Sequence, residues 1–232
     1  MPLKKSVGNM YDWVTHTHSH LGGECPHKCS YCYVQKNRFG VSPRYQGHVR
    51  LIEDEFKVNY GSGKTIFIEH MNDLFAQRDN DEVMDEQISK VLIHCEEYPD
   101  NKYVFQTKNP LVALAYLTAH HINNYMIGTT IESNRHYPQM GNAPSIELRR
   151  GGMMAFGKIE TFVTIEPIMD FDVSHLVAIL KDINPLFVNI GADSKGCHLP
   201  EPTPAKVKEF VAKLQEAGIV IRKKNNLGRM LA

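Results

Sequence analysis

At 232 residues, 42% of them hydrophobic, the chain is long enough to bury one substantial core, and it reads as a single domain over 1–232 with its core about 11–224. Lysine plus arginine equals aspartate plus glutamate at 26 each, so no global field draws the protein to a polyanion, which tempers a nucleic-acid substrate without excluding one. No apolar run reaches the roughly 18 residues of a membrane span, and Met1-Pro2-Leu3-Lys4-Lys5 leads into polar sequence, so neither a transmembrane helix nor a secretory signal is expected. The five cysteines, an odd number with three of them clustered, argue against a disulfide framework and for a reducing cytoplasm with no membrane partner.

Residues 11–17 (Y-D-W-V-T-H-T) read as a first strand that delivers the chain into Cys25-Pro26-His27-Lys28-Cys29-Ser30-Tyr31-Cys32. Three cysteines within eight residues can converge on one metal centre only if the backbone doubles back between them. Gly22, Gly23 and Pro26 make such a loop feasible. Three thiolates leave one coordination position open, whereas a closed structural zinc or an ordinary cubane takes four protein ligands. His16, His18 and His20 alternate just upstream, on one face if the strand runs that far. They read as surface or hydrogen-bonded loop histidines, although one of them, or His27, could close a zinc site.

Gly40–Gly47 carries turn residues, and 48–57 is expected to be a helix with Val49, Ile52 and Phe56 on one face. Gly61-Ser62-Gly63-Lys64-Thr65 ends like a phosphate-binding loop, but an apolar strand follows it where a Walker loop needs a helix. It is the turn into a strand at 65–69, after which His70-Met71-Asn72-Asp73 cluster polar groups. A helix over 81–97 places Met84, Ile88, Val91, Leu92 and Cys95 on one apolar face, which makes Cys95 a core residue. A strand at 102–107, a helix at 111–119 and a strand at 125–131 follow, the last delivering Glu132-Ser133-Asn134-Arg135. A helix at 147–154 carries Arg149-Arg150, a pair more often solvated than phosphate-binding. Next come a strand at 161–165 ending in Glu166-Pro167, a helix at 173–183 and a strand at 186–190. The small residues of 191–198, with Asp193 and Cys197, would let backbone approach a ligand. Thr203 caps a helix to Ala217 with Pro204 at its first position, and a strand at 219–221 precedes the basic Arg222-Lys223-Lys224.

Strands and amphipathic helices alternate throughout, which argues for a parallel sheet with right-handed crossovers. Six or seven such units are too few for a full eight-unit barrel of about 250 residues. A flavodoxin-like sheet is the alternative fold. Parallel α/β sheets gather ligands at the carboxyl ends of their strands, so the polar clusters at 70–73, 132–135, 166 and 193–198 are expected to face the cysteine loop.

At C-x3-C-x2-C, with Tyr31 in the aromatic position, the chain resembles the radical S-adenosylmethionine (radical SAM) superfamily. The resemblance implies an α/β fold built as a partial (β/α)6 TIM-like barrel, a parallel sheet of six to seven strands with outer helices, and the count of units fits. It implies a [4Fe-4S] cluster held by Cys25, Cys29 and Cys32, whose fourth iron chelates S-adenosyl-L-methionine. Reductive cleavage would release a 5′-deoxyadenosyl radical that abstracts hydrogen from a substrate. In the superfamily a Gly-Gly-Glu-like motif after the second strand receives the amino group of S-adenosylmethionine; here that place falls on Asn72 and Asp73, without the glycines. By the same placement Glu132 with Ser133 would accept the ribose hydroxyls and Arg135 would engage the cofactor carboxylate. Tyr31, Glu166 and Asp193 complete the implied cofactor surroundings.

The runs D-W-V-T-H, I-F-I-E-H-M-N-D-L-F, T-K-N-P, G-T-T-I-E-S, I-E-P and V-N-I-G-A-D-S, spread from Trp13 to Lys224, look like a small phage-associated branch related to spore photoproduct lyase. That likeness implies hydrogen abstraction from a nucleotide, a nucleobase in DNA or a related substrate, in a lyase or nucleotide-modifying reaction. Spore photoproduct lyase uses a cysteine as hydrogen donor, and Cys197 on the expected rim is the candidate here, although its surroundings in sequence differ and a bystander role fits it better. Only Cys95 and Cys197 lie outside the motif, so no second cluster is expected and electrons would come from an external flavodoxin- or ferredoxin-type donor. Two other functions stay open: a non-catalytic zinc-binding module, and a radical SAM enzyme acting on a peptide.

Overall fold

The computed structural model of the chain describes residues 3–7, 10–37 and 39–231; Met1 and Pro2, read above with the first residues, lie outside them. The β-branched and aromatic runs build an eight-stranded sheet. At one edge, β1 (Lys4–Lys5) pairs antiparallel with β2 (His16–His18). From there the sheet is parallel and follows chain order: β5 (Thr65–Ile68), β6 (Lys102–Gln106), β7 (Tyr125–Thr130), β8 (Thr161–Ile165), β9 (Phe187–Ile190) and β10 (Ile221–Lys223). A separate two-stranded sheet joins β3 (Leu21–Gly22) to β4 (Arg50–Leu51). A flavodoxin-like sheet would reverse its strand order at a switch point. None of the described strands does so, and β1 and β10 remain as edges. The fold is therefore the open, partial TIM-like α/β barrel expected from the sequence.

Helices α1 (Asp81–Glu96), α2 (Pro110–Ala119), α3 (Ile146–Ala155), α4 (Val173–Ile183) and α5 (Pro204–Glu216) fill the crossovers from β5 to β10. Local chemistry sets where they start. Asn80 accepts from the Val83 N–H at 3.0 Å, Ser145 from Leu148 at 3.3 Å and Thr203 from Lys206 at 3.3 Å. Proline opens α2 and α5, where its missing N–H costs nothing. Cys95 packs on the buried face of α1 with Ile88, Val91 and Leu92, as its spacing predicts. No helix is long and apolar enough to cross a membrane among the described residues.

Three sequence expectations are corrected. Residues 48–57 form no α-helix: Arg50–Leu51 is captured by pairing with Leu21–Gly22, and only a 3-10 turn follows at Glu53–Lys57. The first crossover is thus given to the cysteine loop. The first parallel strand is only His16–His18, because Tyr11 and Trp13 stack at 5.3 Å beneath the sheet instead of pairing in it. The last strand begins at Ile221 rather than at 219: Ile219 N–H still bonds back to the Leu214 carbonyl at 3.0 Å in the wake of α5.

The sheet has two unlike faces. Ile66, Phe105, Ile127, Val163 and Val188 pack with the helices in the main core. Phe67, Val104, Met126, Phe162 and Phe187 form a second cluster with Tyr11 and Val14, and among the described residues no helical one joins it. That cluster is the floor of the open barrel. Gly128 makes room for it, since a Cβ there would stand 2.2 Å from the Phe162 ring.

Candidate active site at the carboxyl ends of the strands

Glu69 closes β5 in the left-handed region, at φ +58, and its buried carboxylate holds the chain on its way to the cysteines. It accepts from the His20 backbone N–H at 2.5 Å, from His20 Nδ1 at 2.9 Å and from the Leu21 N–H at 3.3 Å. Gly23 then turns at φ +92, where a Cβ would lie 2.2 Å from the His48 carbonyl oxygen, so only glycine passes. The cysteine loop that follows is docked onto the segments after β5 and β7. His27 Nε2 donates to Asp73 at 2.8 Å, Ser30 N–H to the Gln139 carbonyl at 2.9 Å, and the Cys29 thiol to the Met140 carbonyl at 3.3 Å. Asn142 N–H returns to the His27 carbonyl at 2.7 Å. The loop therefore sits over the carboxyl ends of parallel strands, where such folds bind ligands.

Burial pushes the Cys25 thiol up to about 12, with Asp73 and the other two motif cysteines adding to the rise. Burial also raises Cys29, against the pull of Lys108. The three sulfurs thus share one electrostatic neighbourhood. They do not close on a small ion: among the described residues they belong to no group of three ligating side chains whose ligand atoms all lie within 4.8 Å of one another. A tetrahedral zinc with bonds of about 2.3 Å would hold its sulfurs roughly 3.8 Å apart. The histidines weighed as a fourth ligand are engaged elsewhere. His27 is bonded to Asp73, His16 to Thr15 at 2.9 Å, and His18 and His20 belong to a separate buried group with His94.

Beneath Cys29 lies a buried charged group. Glu132, fully buried, accepts from Arg149 Nη1 at 2.7 Å, pairs with Lys108 Nζ at 3.2 Å and accepts from the Tyr31 hydroxyl. Burial opposes its ionisation, but Lys108 and Arg149 outweigh that and hold it down at about 2. Arg149 also donates to the carbonyls of Thr130 and Pro144, at 2.9 and 2.8 Å. The expected solvated face of Arg149-Arg150 is corrected accordingly: Arg149 is wholly buried, and only Arg150 reaches outward, to Asp182 at 2.7 Å.

Above the apolar floor, the inner face turns polar one pleat up each strand. The Tyr11 hydroxyl donates to Gln106 at 2.7 Å and meets the Thr164 hydroxyl at 2.6 Å. Gln106 donates to Thr130 at 3.1 Å and Asn189 to Thr164 at 3.3 Å. Higher still, Glu166 accepts from Lys224 at 2.6 Å and from Asn226 at 2.9 Å. Gly191 backs them, for a Cβ there would stand 2.8 Å from the Glu166 carboxyl. Gln106, Thr130, Thr164, Asn189 and Asn226 were not singled out from the sequence, and Lys224 was read there only as part of a basic stretch. The signal was available as a polar residue two positions after an apolar one in a strand otherwise buried throughout, as in Phe162-Val163-Thr164.

The sequence-named residues divide by position. Tyr31, Asp73 and Glu132 touch or belong to the cysteine loop, and Asn72 donates to the Gly23 carbonyl at 3.1 Å. Ser133 turns to the Asp170 carbonyl at 2.6 Å. Arg135 is clasped by Asp170 and by Asp172, the latter at 2.5 Å. Glu166 faces the inner polar layer. Asp193 closes its own loop on the N–H groups of Lys195 and Cys197, at 2.9 and 2.5 Å. Ser194 and Lys195 of that loop line a cleft of about 540 Å³ with Tyr33, Lys36, Phe39 and Met71, just past the cysteine motif.

An open, mostly parallel α/β barrel with a three-cysteine loop over the carboxyl ends of its strands is the class that fold and site define. Among solved structures, that of a spore photoproduct lyase mutant superimposes with a TM-score of 0.55 over 82% of this chain and 60% of that one, at 13% identity. The chain spans about three fifths of that protein's length, and the likeness is one of fold. The sequence matches no family model and no curated protein.

Proposed function

We propose that the protein is a radical SAM enzyme in which Cys25, Cys29 and Cys32 hold a [4Fe-4S] cluster and S-adenosyl-L-methionine binds beside it. The observation that carries this reading is three thiols on one loop above the carboxyl ends of an open parallel barrel, with His16, His18, His20 and His27 all engaged elsewhere. Bound there, the pair would supply reductive cleavage of the sulfonium bond and a 5′-deoxyadenosyl radical.

The chain's own residues fit that chemistry. Lys108 and Arg149 against the single carboxylate of Glu132 leave one net positive charge beside Cys29, which favours thiolate ligation of an anionic cluster. The aromatic floor excludes water from below, and the polar layer of Gln106, Thr130, Thr164 and Asn189 offers fixed donors and acceptors to a nucleoside. Glu166, bonded to Lys224 and Asn226, tops the inner polar layer, and this group would meet the cofactor's polar atoms. Asn72, Ser133 and Asp193 act on this reading as supports of the rim.

For the substrate, the cleft past the motif favours a nucleotide or a nucleobase in DNA. Tyr33 and Phe39 present exposed rings on which a base can stack, and Lys36 and Lys195 stand beside them to meet phosphate. Cys197 adjoins that cleft, and its thiol is pushed upward by burial and by Asp193, which keeps it in the neutral form that can donate a hydrogen atom. An external flavodoxin- or ferredoxin-type donor would supply the electron, in the cytoplasm. Assignment to a phage-associated branch rests on the sequence runs alone.

Anaerobic reconstitution should give about four iron and four sulfide per chain, and dithionite with S-adenosylmethionine should yield 5′-deoxyadenosine. Cys32→Ala should abolish both. A fully loaded cluster that forms no 5′-deoxyadenosine overturns the proposal, and a zinc that is lost in Cys32→Ala, with no iron or sulfide bound, replaces it with a zinc module. Stimulation of cofactor cleavage by an oligonucleotide or nucleotide supports the substrate assignment; stimulation by a peptide alone overturns it.

A further inference from the structure

We infer that His18, His20 and His94 form a second, buried metal site for a divalent cation of the zinc class, with the Tyr60 hydroxyl as fourth donor, on the helix side of the sheet. The site is separate from the cysteine loop. Ligand atoms of the three rings all lie within 4.8 Å of one another. His20 Nε2 is 2.8 Å from His94 Nδ1, and the Tyr60 hydroxyl is 2.6 Å from His18 Nδ1 and 3.0 Å from His20 Nε2.

The opposite nitrogen of every ring is already held. His18 Nε2 bonds to Glu55 at 3.0 Å, His20 Nδ1 to Glu69 at 2.9 Å, and His94 Nε2 to the Val58 carbonyl at 3.1 Å. Metal-binding imidazoles are oriented in this way, with the outer N–H given to a carboxylate or a backbone carbonyl.

Counting hydrogens sharpens the argument. With Glu55 and Glu69 ionised, the carbonyl and carboxylate oxygens accept, so each outer nitrogen carries the ring's hydrogen, and a neutral imidazole has only one. Three bare lone pairs then face inward, with the single hydroxyl proton of Tyr60 to share among them. His20 Nε2 and His94 Nδ1 meet lone pair to lone pair at 2.8 Å. All three rings are buried, where an additional positive proton is penalised by desolvation. A divalent cation accepts every one of these lone pairs at once. Zinc–nitrogen bonds of about 2.0–2.1 Å set tetrahedral donors roughly 3.3 Å apart, so the closest pairs need open by only a few tenths of an ångström.

The position gives the site a use. His18 ends β2, His20 lies in the link to β3, Tyr60 precedes β5 and His94 is on α1, so the cation would clamp the first crossover, which has no α-helix among its described residues and leads into the cysteines.

Zinc content and Co²⁺ titration of the full chain test this. Wild type and a Cys25→Ala/Cys29→Ala/Cys32→Ala variant should each retain one Zn²⁺ per chain through dialysis, and His94→Gln and His18→Gln should lose it. Zinc that leaves with the cysteines and stays in the histidine variants overturns the proposal. Because a histidine variant can fail to fold, Co²⁺ added to the triple cysteine variant gives a second reading. Intense visible bands of tetrahedral cobalt without thiolate charge transfer support the site; a folded variant that binds neither Co²⁺ nor Zn²⁺ overturns it, leaving a neutral acid at Glu69 to supply the missing proton. The cluster-loaded wild type, with its cysteines occupied, should give the same cobalt spectrum. Failure of the cluster itself is read separately, from iron and sulfide.

Discussion

Glu132 and Arg135 leave β7 three residues apart, and each finds opposite charge, yet the two ion groups stand on opposite sides of the solvent boundary. Glu132 has no exposure at all, and Arg149, Lys108 and Tyr31 converge on it under the cysteine loop. Arg135 spans Asp170 and Asp172 at the rim with 39% of its side chain exposed. The chemistry is the same and the physical weight is not. A charge taken out of water must be matched by its partners or it destabilises strongly, whereas a charge left in water is solvated whether or not a partner is near. Nearness to a site in sequence therefore does not assign a role to either residue; solvent access does.

The largest expected effect comes from unbalancing the buried member of that pair. Arg149→Met removes the closer cation of Glu132 and leaves a buried carboxylate with Lys108 as its one cation, which should lower unfolding stability by about 3–5 kcal/mol in urea titration. Adding Glu132→Gln to it should restore part of the loss, because the uncompensated charge is then gone. A loss under about 1 kcal/mol for Arg149→Met would erase the contrast between the two groups.

Acid offers a smaller and graded test. The folded-state pKa of Glu132, about 2, lies below the roughly 4.3 of a free glutamate. Its contribution to stability is thus complete above that unfolded value and is lost as pH falls through the folded one. Urea midpoints measured from about pH 5 down to about pH 2 should fall more steeply for wild type than for Glu132→Gln. Equal slopes would mean that Lys108 and Arg149 do not hold the carboxylate ionised.

How far the sequence disclosed these arrangements depends on the range of the interaction. The order of strands and helices was legible because periodicity, caps and prolines act within one element, as Thr203-Pro204 does for α5. Three cysteines in eight residues marked the loop over the strand ends as a candidate site for the same reason. The helix expected at 48–57 failed because local spacing carries no information about Leu21, whose strand captures Arg50–Leu51. Arg149 looked solvated beside Arg150; its partner lies 17 residues away and arrives only through the fold. His94 sat unremarked on an apolar helix face, 74 residues from the His20 ring that it meets. The inner polar layer was hidden for another reason, since one threonine or asparagine in a buried strand reads as ordinary strand composition until neighbouring strands set its register.

The smallest effect belongs to the exposed member of the comparison. Arg135 donates to Asp172 through Nε at 3.0 Å and to Asp170 through Nη1, while Lys206 also reaches Asp170, at 2.5 Å. Removing the arginine therefore leaves Asp170 with a cation and Asp172 in water, so neither carboxylate is stranded. Arg135→Ala should leave the urea midpoint almost where it was, and the small remaining difference should shrink further as salt screens the pair. If this residue binds the cofactor carboxylate instead, the variant would keep its stability and lose retention of S-adenosylmethionine by the cluster-loaded enzyme. Equilibrium dialysis with labelled cofactor separates the two: unchanged binding makes the rim arginine a tie between loops, and a large loss gives it back the role that its place in the sequence first suggested.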